Sequence, residues 1–451
     1  MRRAVLACVV VLAALTAGSA QTPSQNSQKP NVVLIVTDDV GYGDIGSYGA
    51  PDIKTPNIDR LAREGVRFTD FYANGATCTP TRAGLITGRY QQRVMLERPL
   101  GTGGRALEQG LPVTGRSLPQ LLKNAGYATA IVGKWHLGYK PEFRPNAHGF
   151  DYFFGFLSGV IDYYAHTSTD GRPDLFENGT PVQRDGYMTD LITEQSVRFI
   201  NQNVGRPFFL EVTYNAAHWP YQRPDHPSVA PRNAAHQGAA DDPPAARQDY
   251  IAMLERADRG VGDILKALEA GGLTKNTLVI FTNDNGGEWL SRNAPLFHHK
   301  DSLWEGGIRV PAIFRWPGHV PAGRTSAQVA ITMDLTASIL AATGASVPPE
   351  ARLEGIDLMP IVGGGRPIVE RTLFWRILVQ GRSQRAVRRG DWKLLVQGEA
   401  AYLFNVRADV GEHNDLARDR VDLIRTLRPL IASWEADVDA ERKALASAGP
   451  P

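Results

Sequence analysis

The sequence predicts an α/β fold in which a large mixed, mainly parallel β-sheet is sandwiched by helices, with a smaller C-terminal α+β subdomain. The first observation is a series of short apolar runs rich in β-branched residues, of which Asn31–Val36 is the clearest. A strand that is apolar on both faces is typical of a central parallel sheet. The second observation is that these runs alternate with helical patterns, which predicts a layered α/β domain. The third is that a polar cluster follows each run, where such folds bind ligands.

Start and stop signals place the elements in order along the chain. Thr55-Pro56 begins a helix that ends before Gly65, because Thr favours the N-cap and Pro the first helical position. Ser117 begins another helix, which ends at Gly126. The remaining elements of this domain are predicted strands at 66–72, 128–132, 208–213 and 277–282, and a predicted helix at 249–269.

Two regions interrupt this alternation. Residues 221–247 contain many Pro, Ala, Asp and His without periodicity, which predicts a long surface loop beside the site. A glycine-rich stretch at 363–365 indicates a boundary between a main domain, 21–365, and a C-terminal subdomain, 366–451. In the subdomain we expect short antiparallel strands at 372–375, 386–396 and 402–405. A terminal helix should follow at 421–435.

The N-terminus has the pattern of a secretory signal peptide, 1–20. Two arginines precede an apolar run, Ala4–Ala17, and small residues at 18–20 allow cleavage. The run is short for crossing a bilayer, which needs about 20 residues. We therefore expect a periplasmic or secreted protein without a stable membrane anchor. The formal net charge of +2 gives no indication of a nucleic-acid partner.

Acidic and amide side chains follow two of the predicted strands. Asp38 and Asp39 follow the first strand, and Asp284 and Asn285 follow the strand at 277–282. If these strands are neighbours, three carboxylates converge, and they repel one another unless a cation is present. The ligands are hard oxygens, which favours calcium or magnesium over zinc.

Cys78 is the one cysteine that the mature chain would keep, because Cys8 lies in the signal peptide. Pro80 favours a helix start, so Cys78 should lie at the positive end of a helix, beside Arg82. Both features stabilise anions and lower the pKa of a thiol. The residues alone therefore predict a reactive cysteine that faces an oxyanion.

The segment from Cys78 to Arg89 also resembles a known signature. Cys78-Thr-Pro-Thr-Arg82 followed by Leu-Ile-Thr-Gly-Arg at 85–89 is similar to the signature of formylglycine-dependent sulfatases, arylsulfatase-like members of the alkaline phosphatase superfamily. Thr81 stands where serine is commoner in that family. Further segments resemble the family in the same order, over nearly the whole mature chain: 31–39, 133–138, 283–287, 300–311, 388–393 and 403–416.

The resemblance implies an alkaline-phosphatase-like fold whose catalytic domain is 21–365. It implies a sulfatase that hydrolyses aryl or carbohydrate sulfate esters and releases inorganic sulfate. A maturation enzyme would oxidise Cys78 to formylglycine (3-oxoalanine), and one hydroxyl of the hydrated aldehyde would attack sulfur. The implied ligands of a calcium ion, with magnesium as the alternative, are Asp38, Asp39, the modified Cys78, Asp284 and Asn285.

The same resemblance implies roles for the remaining polar residues. Arg82, Lys134 and Lys300 would hold the sulfate oxygens and stabilise their charge in the transition state. His218 would donate a proton to the leaving alcohol. His136 would take a proton from the second hydroxyl, which expels sulfate and restores the aldehyde. Other candidate substrate contacts are Ser158, Asp162, Tyr163, Tyr164, His166, Trp219, Tyr221, His298 and His299.

Two other classes of protein remain as alternatives. A phosphomonoesterase or phosphodiesterase of the same fold would commonly use Ser or Thr as nucleophile, with zinc and more His ligands. A non-catalytic binding protein would be expected to have lost Cys78 or a metal carboxylate. The segment 154–166 looks like members that act on sulfated carbohydrates, including N-acetylgalactosamine 4-sulfate.

Overall fold

The computed structural model describes residues 29–227, 243–379 and 382–447. The predicted signal peptide and part of the predicted loop at 221–247 lie outside the described residues. The strands are β1 (Asn31–Thr37), β2 (Val66–Phe68), β3 (Phe71–Tyr72), β4 (Ala128–Lys134), β5 (Tyr152–Phe156), β6 (Phe176–Glu177), β7 (Thr180–Pro181), β8 (Phe208–Thr213), β9 (Thr277–Asn283), β10 (Ala312–Arg315), β11 (Arg324–Ser326), β12 (Ala330–Ile331), β13 (Thr372–Val379), β14 (Arg382–Arg389), β15 (Trp392–Gln397) and β16 (Ala400–Asn405). The α-helices are α1 (Pro56–Arg63), α2 (Cys78–Thr87), α3 (Leu118–Asn124), α4 (Met188–Gln202), α5 (Pro243–Ala270), α6 (Glu305–Ile308), α7 (Met333–Thr343), α8 (Met359–Val362) and α9 (Val421–Ser447).

A ten-stranded sheet forms the centre of the fold, in the order β11-β2-β10-β9-β1-β8-β4-β5-β6-β7. β1 pairs in parallel with both β8 and β9, and β4 pairs in parallel with β8 and β5. β10 is antiparallel to β9 and to β2. The prediction of a mixed, mainly parallel sheet is confirmed.

Helices cover both faces of this sheet because its central strands are apolar on both sides. In β1, Val33 and Ile35 pack into the core that α1, α4 and α5 cover. Val32 and Leu34 point the other way, into the core beneath α2, α3 and α7. The successive side chains of a strand alternate between the two faces, so one apolar run serves both cores.

The predicted strand at 66–72 is wrong as a single element. The chain turns at Thr69 and Asp70, so β2 belongs to the large sheet while β3 pairs with β12 in a separate two-stranded sheet. The turn is held by ion pairs: the Asp70 carboxylate lies 2.6 Å from Arg388 and 3.2 Å from Arg309. The arginine partners come from distant parts of the chain, which a local pattern cannot reveal.

Two helices are longer than predicted. The helix expected at 249–269 begins at Pro243, so the predicted loop is wrong over its last residues. Pro is tolerated in a first helical turn, and the following Ala-Ala-Arg favours helix. The terminal helix continues to Ser447 rather than ending at 435. Its extension carries Asp439 and Glu441, which pair with arginines outside the helix.

The C-terminal subdomain is a four-stranded antiparallel sheet, β13-β14-β15-β16, with α9 packed against it. The expected α+β character is confirmed. Arg89, which closely follows α2, forms an ion pair of 2.8 Å with Glu441 of α9. The subdomain is therefore tied to the part of the chain that carries Cys78. Within the described ranges, none of the helices combines the length and the apolar character needed to cross a bilayer.

Candidate active site

The acidic side chains meet because the strands that precede them are neighbours. Thr37 at the end of β1 is paired with Asn283 at the end of β9, so the residues after each strand emerge side by side. Asn285 Nδ2 donates to Asp39 Oδ1 over 2.7 Å. Asp39 has a φ of 58°, a left-handed conformation that Asp adopts more readily than most residues. The turn directs its carboxylate into the site.

Asn283 fixes the geometry of these two strand ends. Its Oδ1 accepts from Thr37 Oγ1 over 2.9 Å, and its Nδ2 donates to the Val40 carbonyl over 3.0 Å. The side chain is fully buried. It therefore braces the turn that presents Asp38 and Asp39, and is not itself turned to the cavity.

Cys78 is the first residue of α2 and is buried, with Sγ 3.7 Å from Asp38 Oδ1. This confirms the expected position at a helix N-terminus. The expectation of a lowered thiol pKa is wrong. Burial raises the pKa of Cys78 well above its usual range, although the charges of Lys134 and Lys300 oppose that effect.

Three buried cations surround the carboxylates. The Lys134 ammonium donates to Asp38 Oδ2, and the Lys300 ammonium to Asp39 Oδ2 over 2.7 Å. Arg82 donates to Asp284 Oδ2 from Nε over 3.1 Å and from Nη2 over 2.8 Å. Each predicted sulfate-holding residue therefore lies in the site, and each donates hydrogen bonds to one of these carboxylates.

These cations counteract the effect of burial on the pKa values of the carboxylates to different extents. Burial would raise the pKa of Asp39, but the charges of Lys300, His218 and Lys134 hold it well below its usual range. Burial and the charge of Asp38 raise the pKa of Asp284 to about 6, in spite of Arg82. The site thus combines carboxylates of different proton affinity within one cluster.

The donor set fits a hard divalent cation. Ligand atoms of Asp38, Asp39, Cys78 and His218 lie within 4.8 Å of one another. Asp284 Oδ1 and Asn285 Oδ1 are buried, and neither has a hydrogen-bond partner among the described residues. Carboxylate and amide oxygens are the donors that calcium and magnesium prefer. His218 was not among the predicted ligands, and its position beside Asp39 is a finding of the structure.

His136 follows β4, and a hydrogen bond at one of its two ring nitrogens fixes its tautomer. Nε2 lies 2.9 Å from the Leu100 carbonyl, which can only accept, so Nε2 carries the proton. Nδ1 is buried and has no hydrogen-bond partner in the part of the chain that the structure describes. Burial, together with the charge of Lys134, keeps the pKa of His136 well below its usual range. The ring therefore presents an unprotonated, unengaged nitrogen, as a base requires.

His218 lies beyond β8, where its ring connects Lys300 with the backbone. Nδ1 lies 2.6 Å from the Trp219 carbonyl, and Nε2 lies 3.3 Å from Lys300 Nζ and 3.4 Å from Asp39 Oδ2. Burial lowers its pKa to about 3, against the opposing charge of Asp39. The tautomer with hydrogen on Nδ1 leaves Nε2 to accept from Lys300.

One pocket of about 460 Å³ gives access to these groups and is called the active-site pocket below. Cys78, His136, His218 and Lys300 all line it. The loop 99–102 and Trp219 form part of its wall. Of the predicted aromatic contacts, Trp219 reaches this wall, whereas Tyr163 is fully buried and donates to the His218 carbonyl over 2.9 Å. Tyr163 therefore supports the His218 loop from behind.

The other candidate substrate contacts serve the local fold. Asp162 accepts from the backbone of Tyr164 and Ala165, over 2.8 and 2.7 Å. Ser158 donates to the Val160 carbonyl over 2.6 Å. His166 is buried, Tyr221 packs against Tyr250, and His299 Nδ1 lies 2.9 Å from the Lys300 carbonyl. None of these five lines the active-site pocket.

Two features of the site were missed in the sequence. Glu288 Oε2 lies 3.8 Å from Lys300 Nζ, and burial with the charge of Asp39 raises the pKa of Glu288 to about 8. Its short spacing from Asn285 was the available signal, because both residues belong to one loop. The second feature is the Leu100 carbonyl, which orients His136. A backbone contact of this kind leaves no signature in residue type.

The fold and the site together define a class of enzyme. An alkaline-phosphatase-like sheet brings carboxylates, three cations, two histidines and a helix N-terminus around one buried position, an arrangement suited to hydrolysis of an anionic ester. Comparison with known proteins narrows the class. The sulfatase family model matches residues 30–345. The chain belongs to the sulfatase family and is a sulfuric ester hydrolase.

Individual relatives and structures agree with this assignment. The chain is 35% identical over 409 residues to N-acetylgalactosamine-6-sulfatase of Mus musculus, covering 85% of this chain and 74% of the relative. It is 32% identical to arylsulfatase A of Bos taurus, covering 90% and 88% respectively. Among solved structures, Ps i-CgsB matches with a TM-score of 0.82 and 34% identity, over 90% of this chain and 93% of that one.

Proposed function

We propose that this protein is a periplasmic or secreted sulfatase that removes sulfate from sulfated carbohydrates, with formylglycine at position 78 and a bound calcium ion. The observation that carries the proposal is Cys78 at the start of α2, buried against Asp38 and open to a pocket shared with His136, His218 and Lys300. The family assignment supports the reaction. The N-terminal targeting pattern supports the location.

Named relatives support a carbohydrate substrate over a simple aryl sulfate. Several similar relatives, at 34–35% identity, are named N-acetylgalactosamine-6-sulfatases. A second structure of Ps i-CgsB, with the same 34% identity to this chain, contains k-i-k-neocarrahexaose. Trp219 on the wall of the active-site pocket offers an aromatic face to a sugar ring.

The main-domain boundary at 365 belongs to the same proposal and is supported by the start of the separate four-stranded sheet at Thr372.

The chain's own residues bind the sulfate group. Formylglycine at position 78 would supply a hydrated aldehyde as nucleophile, and a calcium ion held by Asp38, Asp39, Asp284 and Asn285 would polarise sulfate oxygens. Lys134 and Lys300 are buried cations beside that position. Arg82 lies one helical turn along α2. Cations fixed in a water-poor site stabilise developing negative charge without reorganisation.

His218 would protonate the leaving alcohol. Its Nε2 faces the active-site pocket beside Lys300, which can supply the hydrogen bond and the proton that a neutral imidazole lacks. His136 would accept the proton whose removal expels sulfate. Its unengaged Nδ1 and its anchored Nε2 are the geometry that a base needs.

The phosphatase alternative is less well supported. Its usual zinc sites use several histidines, whereas the metal-competent cluster found in the described residues contains one histidine and is otherwise carboxylate and Cys78. Phosphonate monoester hydrolase of Agrobacterium radiobacter shares the fold, at 20% identity and a TM-score of 0.66. A binding protein without activity has no need for an intact Cys78 and a complete cation set.

The test combines mass spectrometry with a desulfation screen. When the protein is produced with a formylglycine-generating enzyme, the peptide that contains Cys78 should lose about 18 Da, the difference between a thiol and an aldehyde. The modified protein should release sulfate from carbohydrate sulfates, and Cys78→Ala should be inactive yet melt close to the wild type. Full activity with an unmodified thiol would overturn the proposed mechanism.

A further inference from the structure

A second pocket of about 320 Å³ lies beside the active-site pocket, and none of the proposed chemical steps uses it. We call it the adjoining pocket; among its lining residues are Thr102, Tyr139, Lys140, Arg144, Arg172 and Phe176. Thr102 also lines the active-site pocket, and so does Thr169. Their hydroxyl oxygens lie 3.2 Å apart, so this pair stands between the two cavities. A ligand that extends past Thr102 would occupy both.

The adjoining pocket contains a cation without a carboxylate partner. Arg144 donates to the Tyr139 carbonyl and to the Gly179 carbonyl, each over 3.0 Å, and its guanidinium lies over the Phe176 ring at 5.0 Å. In the part of the chain that the structure describes, Arg144 forms no ion pair. Its positive charge is therefore fixed in place by neutral groups and is available to an anion.

Two further cations of this pocket have partners that they can exchange. Lys140 pairs with Glu108, whose side chain is 63% exposed. Arg172 pairs with Asp170 and also donates to the Thr102 carbonyl over 2.9 Å. Ion pairs between exposed side chains contribute little to stability, so an incoming sulfate can compete for these cations. Arginine is well suited to that exchange, because its planar fork matches an oxyanion.

The rest of the lining suits a sugar ring. Thr102 and Ser168 offer hydroxyls, while Leu157, Pro141 and Phe176 offer apolar surface. Asp174 also lines the pocket, but its carboxylate is occupied by the backbone amides of Leu157 and Ser158, over 3.2 and 2.9 Å. The dipoles of these two amides partly offset the negative charge of Asp174.

We propose that the adjoining pocket binds a sulfated neighbouring sugar of an oligosaccharide whose reacting sulfate lies in the active-site pocket. This inference rests on the proposed function and specifies its substrate: a glycan of two or more units that carries sulfate on adjacent units. Both cavities are of the size typical of ligand sites, about 300–1,000 Å³. The enzyme should therefore prefer multiply sulfated oligosaccharides over sulfated monosaccharides.

The experiment compares kcat/KM on three substrates: a sulfated monosaccharide, an oligosaccharide sulfated only on the reacting unit, and the same oligosaccharide with a second sulfate on the next unit. Wild type should favour the third. Lys140→Gln and Arg172→Gln should each lower kcat/KM on the third substrate by about tenfold, which corresponds to one charge-assisted hydrogen bond. For Lys140→Gln, kcat/KM on the monosaccharide should not change. Arg172 also holds the Thr102 carbonyl of the pocket wall, so its variant is judged by the ratio of kcat/KM between the third and the second substrate. Lys266→Gln, at an exposed site on α5, is the matched control and should affect none of the three.

A binding measurement separates this inference from the proposed function. In the Cys78→Ala background, calorimetry with the doubly sulfated oligosaccharide should give a Kd that rises about tenfold when Lys140 or Arg172 is replaced by Gln. If wild type hydrolyses no sulfate ester but this pattern holds, the proposed function fails and the binding pocket stands. Equal kcat/KM on the three substrates, or variant losses that are the same on the monosaccharide, would overturn the inference.

Discussion

At the scale of single residues, the two histidines of the site have different hydrogen-bonding states. His136 donates through Nε2 to the Leu100 carbonyl and keeps Nδ1 unengaged. His218 has Nδ1 against the Trp219 carbonyl and turns Nε2 toward Lys300. One ring is therefore arranged to take a proton and the other to pass one on. Residue type alone cannot distinguish these roles, because both depend on the groups opposite each nitrogen.

Replacement of His218 should affect substrates according to their leaving group. A sugar alkoxide needs a proton as it departs, whereas nitrophenolate leaves as a stable anion. His218→Ala should therefore lose most of the factor typical of general acid catalysis, about 10²–10⁴, on a carbohydrate sulfate and much less on 4-nitrophenyl sulfate. The measurement is kcat/KM on both substrates.

His136→Ala serves as the comparison for that experiment. Proton removal by His136 follows the departure of the alcohol, so this variant should be impaired similarly in kcat on both substrates. A loss from His218→Ala that is equal on the two substrates would argue against its role as an acid. His218 would then be a residue that binds sulfate or supports the loop.

Glu211 of β8 predicts a pH dependence of stability, and the charge of Arg82 only partly opposes the effect of its burial. The side chain is buried, and within the described ranges its Oε2 has no hydrogen-bond partner. Burial raises the pKa of Glu211 to about 7, above an unfolded value of about 4.3. The folded state thus favours the protonated form. The resulting stability is fully present below the unfolded pKa and is lost as the pH rises through 7.

Glu211→Gln should remove that dependence, because an amide cannot ionise. The free energy of unfolding of wild type should fall by about 3 kcal/mol between pH 4.5 and pH 8 through this group, by linkage. Melting curves of both proteins at pH 5 and pH 8 measure the difference. The variant should gain relative to wild type at pH 8. An equal difference at both pH values would mean that Glu211 is ionised in the folded state.

At the scale of elements, the proposed metal ligands come from the ends of β1 and β9 and from the start of α2. This convergence could be predicted, because buried parallel strands place their carboxyl ends at one edge of a sheet. The contacts made by the loops could not be predicted from the sequence. Glu288 reaches Lys300, and the Thr79 hydroxyl donates to the His136 carbonyl over 2.9 Å, through backbone paths that residue patterns do not encode.

The thiol pKa illustrates the same limit. Helix position and nearby cations, which the sequence does reveal, both favour the thiolate. Burial, which the sequence does not reveal, outweighs them at Cys78. The split between β2 and β3 is similar, since it depends on Asp70 meeting Arg309 and Arg388 in three dimensions. In both cases the residue types and their neighbours in sequence were correctly interpreted. The burial of Cys78 and the distant partners of Asp70, which decide the thiol pKa and the break between the strands, could not be predicted.

Removal of the metal should lower both activity and stability. A chelator should abolish turnover, and calcium or magnesium should restore it better than zinc, because the ligands are mainly oxygens. An ion at a hundred times its Kd stabilises the fold by about 2.7 kcal/mol, which a melting curve detects.

Asp284→Asn should reduce this calcium-dependent shift of the melting temperature. Asp263→Asn, at a half-exposed site on α5, should leave it unchanged. Active protein with stoichiometric zinc and no alkaline-earth ion would contradict this assignment.

At the scale of the whole molecule, the C-terminal subdomain supports a wall of the active-site pocket. Arg376 of β13 is buried and holds Glu97 through two hydrogen bonds of 2.9 and 3.0 Å. The same guanidinium holds Asp439 of α9. Glu97 begins the loop that contains the Leu100 carbonyl, the partner of His136. A continuous set of contacts thus joins the terminal helix to His136, the proposed catalytic base.

Arg376→Ala should therefore cost both stability and activity. Removal of one partner from a fully buried ion pair typically costs about 3–5 kcal/mol. The cost here should be lower, because Arg442 and Arg385 still contact the carboxylates that Arg376 holds. The melting temperature should fall, and kcat/KM measured well below it should also fall, because the loop at 97–102 loses its anchor. Arg442, which also contacts Glu97, is 48% exposed and provides the control: Arg442→Ala should cost less than about 1 kcal/mol. If Arg376→Ala melts earlier yet keeps the kcat/KM of Arg442→Ala, the subdomain stabilises the fold without positioning His136.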